Sequence, residues 1–538
     1  MWTLWASLTG VACMTGPADA QIECDRVYPV CVPAGLSTEI NAEGKFGTWP
    51  VQVWCDRSDV RIACAETKGK LSLTVAPDAP PGVAWVRLAD AQSASRLFAL
   101  RIARTPVVVE SEPNSRPDES DAGAQPLPVA IVGRLSERSD VDTIAVDVPA
   151  AGTITVRAMA NRVFASPVDL VLQICDRDGY VLAQNDDTRG LDPQVSLDVK
   201  RSGRLYVRVF GFPETPNSTI GFASGPDYIY VLTASMEPSV DYFLPLAAAE
   251  SPPPHVVAVR GSGELVPRGR VLPATLVSPP TAVDTEDPLA WQWLPRLAEK
   301  RSEVAGEVKQ IVASELPIVV SGVISHPGQS DQYAFLPHAG DEYQIEVWSA
   351  RLGFELDPRV EVLDESGKPL ATGDDTGRND FQARVQFKTP DDHPLTIRLT
   401  DAVGTGGPRH AYAMVVRAAH PDFRLTLPGE RIVVAPGKSV ACKIEVQRRF
   451  GMDVPIEVTA EDLPAGVTYQ TVESKPSGET AKEVELVLTC ADSAAPFQGW
   501  IRITGRARAD NAPARTATYP LRPAVDLQRL WLTVQDSK

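Results

Sequence analysis

Six residues recur in the same order at one constant offset. Asp169, Asp176, Gly179, Asp186, Asp187 and Asp192 return as Asp357, Asp364, Gly367, Asp374, Asp375 and Asp380. Upstream, Gly133, Asp140 and Arg162 correspond to Gly322, Asp331 and Arg351 after slips of one to three residues. Two copies of one folding unit must therefore fit within the chain. Around them the recognisable segments are short alternating runs bounded by Gly, Pro, Asn or Asp. Examples are LSLTV at 71–75, TITVR at 153–157, LYVRV at 205–209, YQIEV at 343–347 and WIRI at 500–503. A period of two sends alternate side chains to opposite faces, which suits strands with one face buried.

At 538 residues the chain is too long for a single core, and its 47 prolines disfavour long helices. The expected fold class is all-β, a multidomain array of antiparallel β-sandwiches. The exception is Ala290 to Ser314, whose spacing predicts at most one short amphipathic helix in a linker. The expected boundaries are 1–20, 21–107, 108–236, 237–314, 315–420 and 421–538. The 237–314 stretch, with Ser251-Pro-Pro-Pro254 and Val277-Ser-Pro-Pro280, reads as a Pro-rich connector.

Residues 1–20 are an apolar stretch closing on Ala18-Asp19-Ala20, as in a secretory signal, though without the usual basic residue before the apolar run. Cleavage near Ala20 and a secreted or cell-envelope location are expected. No other segment approaches the about 20 apolar residues of a membrane span. The net charge of −17 argues against a nucleic-acid backbone or an anionic membrane as partner. In an oxidising compartment Cys24, Cys31, Cys55 and Cys64 can form two bridges, and a bridge between Cys442 and Cys490 across a sandwich is plausible. Cys175 reads as a buried thiol.

Glu110-Ser-Glu-Pro-Asn114, Val132-Gly-Arg-Leu135, Ser139-Asp-Val-Asp142 and Asn185-Asp-Asp187 together resemble the bacterial pre-peptidase C-terminal domain. That small β-sandwich is usually appended to secreted peptidases and is related to clostridial collagen-binding domains. The first copy, about 108–236, resembles it along its length. The second, about 315–420, keeps Gly322-Val-Ile324, Ser330-Asp-Gln-Tyr333, Leu356-Asp357 and Gly373-Asp-Asp375 but lacks Glu-x-Glu-Pro-Asn. The flanks resemble immunoglobulin-like domains of large exported bacterial proteins, through Pro81-Gly-Val-Ala-Trp-Val-Arg-Leu88 on one side and Leu463-Pro-Ala-Gly-Val467 on the other.

Glu110, Glu112 and Asn114 alternate, so an extended chain turns them to one side, and Asp140 and Asp142 are likewise same-sided. Hard oxygen donors in this number suit calcium. In the collagen-binding relatives a matching Glu-x-Glu-x-Asn segment and an aspartate pair bind calcium, which makes these five residues candidate ligands. The plainer reading is an acidic linker with a Pro-Asn turn. In the second copy only Asp331 remains, and no equivalent ion is expected there. A weaker set is Asp169, Asp186, Asp187 and Asp192, which can converge on an ion or cap backbone N–H groups. Arg162 and Arg351 can neutralise these acids by pairing.

No catalytic residue is expected. The six histidines form no HExxH, no GxSxG elbow precedes a helix, and a duplicated acidic turn does not suit a single active site. Tyr206, Phe210, Phe212, Phe222, Tyr228 and Tyr230 crowd the end of the first copy and read as core packing. The expected function is a non-catalytic binding or scaffold protein that recognises a protein or polysaccharide. The alternatives are an accessory or inhibitory partner of a separate secreted peptidase, and a hydrolase built on the aspartate turns.

Overall fold

A computed structural model describes residues 22–215, 221–237, 240–244, 246, 256–260, 265–268, 301–304, 310–377, 380–509, 514–522 and 525–536. The proposed leader and most of the connector lie outside these residues. The described chain is all-β, with helix only in single turns such as Pro117–Ser120 and Asn161–Phe164. Four two-sheet sandwiches follow one another along it.

The two middle sandwiches share one strand order. In the first, one sheet runs Gln194–Val199, Gly152–Met159, Ile229–Ser235, Val129–Arg134, Val107–Val109. In the second, the order is Asp380–Lys388, Glu342–Trp348, Ala411–Ala418, Ile318–Val323, Arg301–Val304, with Asp375–Gly377 added at the edge. The facing sheets are Gln125–Pro126, Asp142–Val148, Gly203–Pro213, Val168–Cys175, Val181–Asn185 and Gln310–Val312, Ser330–Leu336, Leu395–Asp401, Pro358–Leu363, Pro369–Gly373. Each copy also opens with two short edge strands paired in parallel. The end sandwiches match each other too. In both, a short strand pairs in parallel with the last one, Cys31–Pro33 with Phe98–Ala103 and Arg431–Val434 with Leu530–Val534.

Burial follows the alternation where one face meets water. Glu483–Cys490 buries every second residue. The middle of each repeat departs from this, because Ile229–Ser235 and most of Ala411–Ala418 are buried on both faces. Tyr230, Leu232 and Ala234 enter their own core, whereas Ile229 and Val231, with Ala130 and Val132, join the core of the first sandwich. In the second repeat Tyr412, Met414 and Val416 point inward. There the outer residues Ala411, Ala413 and Val415 are covered by Tyr242, Leu244 and Leu246 from the connector. One outer sheet face is thus roofed twice, once by a whole domain and once by a strand.

Two expectations change. Within the predicted helix at 290–314, the described stretches are mostly strands, Arg301–Val304 along Ile318–Val323 and Gln310–Val312 along Ser330–Leu336, and only a single 3-10 turn at Ala313–Glu315 is helical. Residues 290–300 and 305–309 lie outside the described residues. Edge pairing is made by the backbone, so a three- or four-residue strand tolerates a sequence with helical spacing. The seven described cysteines are all free thiols. Cys442 and Cys490 are both buried but lie in neighbouring strands of one sheet. Cys442 faces Leu486 there, four residues or about 13 Å along from Cys490, so no bridge crosses the sandwich. Burial pushes the Cys31, Cys55 and Cys442 thiols up to about 11.

Arginines join the sandwiches. Arg87, fully buried, forms an ion pair with Glu430 of the last domain at 2.9 Å. Its guanidinium lies 4.9 and 5.0 Å from the rings of Trp500 and Trp531, so the first and last domains touch. Between the repeats, Arg409 grips both oxygens of Asp241 at 2.7 Å, donates to Gly353 O at 2.7 Å and reaches Thr188 O at 3.2 Å. Arg189 binds the same carboxylate. Burial alone would raise Asp241, yet Arg189 and Arg409 outweigh it and hold its pKa well below the carboxylate range. Asp241→Asn should therefore destabilise the chain by about 3–5 kcal/mol in urea denaturation, by leaving buried guanidinium charge uncompensated. A depressed pKa stabilises above the unfolded value, so the difference from wild type should be constant at neutral pH and narrow below about pH 4.

Candidate metal centre

The first repeat begins with an extended segment held against its neighbours by the backbone. Glu110 N donates to Val132 O at 2.9 Å, and Thr143 N donates to Asn114 O at 2.7 Å. These bonds set the Glu110–Asn114 segment beside the start of Asp142–Val148. Ser139, in the left-handed region at φ 65°, tightens the turn before it. One oxygen of Asp140 accepts from Ser136 N at 2.6 Å and Glu137 N at 3.1 Å, which orients the carboxylate.

Glu112, Asp140 and Asp142 each bring a carboxylate oxygen within 4.8 Å of the others. Glu112 is exposed, while Asp140, Asp142 and Asn114 are buried. Glu110 stands beside this group rather than in it. Its Oε1 accepts from Arg134 N, and its Oε2 accepts from Tyr230 OH at 2.7 Å and Asn114 Nδ2 at 3.3 Å. Two buried oxygens, Asn114 Oδ1 and Asp142 Oδ1, have no hydrogen-bond partner. An unmatched buried carboxylate oxygen costs several kcal/mol unless a cation or a proton meets it.

Sequence reasoning placed Tyr230 in the core but missed its hydroxyl, which sits 2.7 Å from Glu110 and 2.6 Å from Asp142. One phenolic proton cannot serve two carboxylates, so without a cation at least one of the acids keeps its own proton. Burial pushes the pKa of both upward, and for Asp142 the neighbouring Glu110 adds to it. The missed signal was a tyrosine at the matching strand position of both copies, Tyr230 opposite Gly133 and Tyr412 opposite Gly322.

The second repeat rebuilds this point with one acid, Asp331, left of the set. Tyr412 OH bonds Asp331 and the Tyr333 hydroxyl, and Tyr333 occupies the sequence place of Asp142. A phenol replaces a carboxylate, so the charge that would draw a cation is reduced.

The weaker set divides. Asp192 is buried and accepts from Ala160 N, Asn161 N and Arg162 N at 3.1, 2.9 and 3.3 Å, which caps the turn Asn161–Phe164. Burial pushes it up to about 6. Asp186 and Asp187 are exposed and lie close enough to Asp169 to raise its pKa beyond the effect of burial. In the second repeat Asp357, Asp374 and Asp375 come within 4.8 Å, on an exposed edge. Of the arginines proposed to neutralise these acids, Arg162 donates to Leu352 O at 3.2 Å, and Arg351 lies 3.8 Å from Asp526.

No protein-family model matches the chain, and no curated protein matches it either. Among solved structures it is similar to the M60 catalytic domain with the CBM51-1 and CBM51-2 domains of Clostridium perfringens ZmpB. The identity is 11%, the TM-score 0.16, and the match covers 73% of this chain and 46% of that one. It is also similar to the fibronectin(III)-like modules of Clostridium thermocellum CbhA, at 8% identity and a TM-score of 0.14, covering 43% and 91%. A third is the ICAM-5 D1–D4 ectodomain fragment, at 12% identity and a TM-score of 0.12, covering 94% and 98%. Scores this low say nothing of what this chain binds or does. Among the described residues no helix is long and apolar enough to cross a membrane.

The tyrosine's place explains one glycine. A Cβ on Gly133 would lie 2.1 Å from Tyr230 Cζ and 2.6 Å from Glu110 Oε2. Gly133→Ala should therefore displace the ring and cost about 1–3 kcal/mol in chemical denaturation. Alanine at the open Gly123, where nothing lies within 4 Å, should cost far less.

Proposed function

We propose that this is an exported, non-catalytic binding or scaffold protein whose first repeat is set by calcium. The observation that carries the calcium reading is the pair of buried oxygens without partners, Asn114 Oδ1 and Asp142 Oδ1, beside Glu112 and Asp140. The set fits a hard cation that takes 6–8 oxygens in flexible geometry, with water completing the shell on the exposed Glu112 side. Asn114, Glu112, Asp140 and Asp142 would hold the ion, and Glu110 would orient Tyr230 behind it. The ion would also supply the positive charge that one phenolic proton cannot. A non-catalytic role is supported by where the aspartates go. Asp192 is occupied as a cap, and Thr188 and Arg189 of the same loop serve the junction between repeats. The partner in this reading is a protein or polysaccharide met outside the cell, and the array of sandwiches serves to space and present surfaces. An accessory role beside a secreted peptidase is a narrower form of the same reading.

Calcium added to the chelator-stripped full chain should raise its melting temperature, by about 2.7 kcal/mol of stabilisation at a hundredfold excess over Kd. Asp142→Asn should remove that response, and Asp374→Asn with Asp375→Asn should leave it intact. No response in wild type, or a response lost only in the second pair, would refute the assignment. On arrays of proteins and polysaccharides the chain should bind without cutting. Release of fragments that disappears in Asp186→Ala or Asp187→Ala would make it a hydrolase instead.

A further inference from the structure

A cavity of about 700 Å³ opens where three of the four sandwiches meet. The first domain contributes Glu23 to Val27 of its opening strand and the segment through Phe98; the first repeat contributes Phe164, Ala165 and Pro167 with Asp227 and Ile229; the last domain contributes Arg431 and Arg522. Three arginines on its wall, Arg96, Arg431 and Arg522, make their hydrogen bonds to main-chain carbonyls. Arg96 donates to Asp25 O at 2.6 Å, Arg431 to Ala94 O at 2.6 Å, and Arg522 to Leu521 O at 2.7 Å and Val163 O at 3.3 Å. Each guanidinium has five N–H donors and no acceptor, so these bonds position it and leave charge and donors available. Most carboxylates on the wall are already matched. Glu23 pairs with Lys45 and Asp227 with Arg26, both at 2.8 Å, which leaves Asp25 as the exception among the described residues. The local balance is positive in a chain of net charge −17.

The rest of the wall is apolar, from Val27, Leu97, Phe98 and Phe164 among others, and includes no amide or hydroxyl side chain. Sugar hydroxyls need such planar or hydroxylic partners to replace water. A carboxylate beside an apolar side chain needs only a forked cation and a greasy wall. We infer that this three-domain cavity binds a peptide segment that presents a carboxylate next to apolar residues. The inference deepens the binding reading above by naming a partner class, and it stands on residues remote in sequence from the proposed calcium ligands. An acidic side chain and a chain-terminal carboxylate offer the same chemistry to these arginines.

The test passes a synthetic hexapeptide library, in matched free-acid and C-terminal-amide forms, over the immobilised full chain and identifies retained peptides by mass spectrometry. Peptides combining carboxylates with apolar residues should be enriched, and Arg96→Gln with Arg431→Gln should reduce that enrichment at least tenfold while the far-UV circular dichroism stays that of the wild type. Asp25→Asn, which removes the unmatched carboxylate, should increase retention of carboxylate-bearing peptides over their neutral counterparts, a selective gain that misfolding does not produce. Loss of retention on amidation would identify the terminus as the group held, and its persistence an acidic side chain. Enrichment no greater than for neutral peptides would overturn the inference. So would enrichment unaffected by all three substitutions, or retention of oligogalacturonate in place of peptides. Running the library with calcium and with chelator separates this result from the calcium reading, since failure here leaves the melting response untouched.

Discussion

Arginines buried between domains hold the four sandwiches together. Apolar packing makes part of these joins, as where Ile229 and Val231 enter the core of the first sandwich, and side chains that reach across complete them. Arg87 does this between the first and last domains through Glu430 and two tryptophan rings. Arg409 does it between the repeats through Asp241. Arg101 reaches Thr233 at 2.5 Å between the first domain and the first repeat. A guanidinium suits these places because its planar fork can bond a carboxylate and several carbonyls while stacking on an aromatic face.

The candidate metal centre lies at one of these joins. Arg134, whose backbone N–H bonds Glu110, extends its side chain to Glu43 of the first domain at 3.0 Å and lies 4.4 Å from the Tyr28 ring. Glu43 also bonds Arg26 at 2.7 Å, and Arg26 bonds Asp227. A cation at Asp142 would thus stand at one end of a charged chain that runs from the first repeat into the domain before it. The same Arg26–Asp227 pair borders the three-domain cavity. The proposed ion site is thus linked to the domain arrangement through Glu110 and Arg134.

The all-β class was legible because alternation reports a half-buried sheet directly. The recurrence of the aspartates has a counterpart in the common strand order of the two middle sandwiches. Partners far apart in sequence were not legible. Tyr230 is 88 residues from Asp142 and 120 from Glu110, so its parity pointed to the core while its hydroxyl found two acids. Asp192 looked equal to Asp186 and Asp187 by composition, yet it alone of the three turns inward to cap a helical turn. Cys442 and Cys490 had the parity of core residues, but parity does not say whether two strands belong to one sheet or two. The helical spacing near 301–312 yielded to edge pairing, which makes few demands on side chains.

Whether Asp142, Glu112, Asp140 and Asn114 hold a calcium ion beside Tyr230 can be measured directly. Terbium(III) takes calcium's oxygen-rich sites and emits when an excited aromatic ring next to it passes on its energy, so it reports both occupancy and place. A calcium site there predicts tyrosine-sensitised terbium emission from the full chain that calcium displaces and Asp142→Asn abolishes. Emission no brighter than that of free terbium would contradict it, as would emission that survives Asp142→Asn but vanishes when Asp374 and Asp375 are replaced by asparagine.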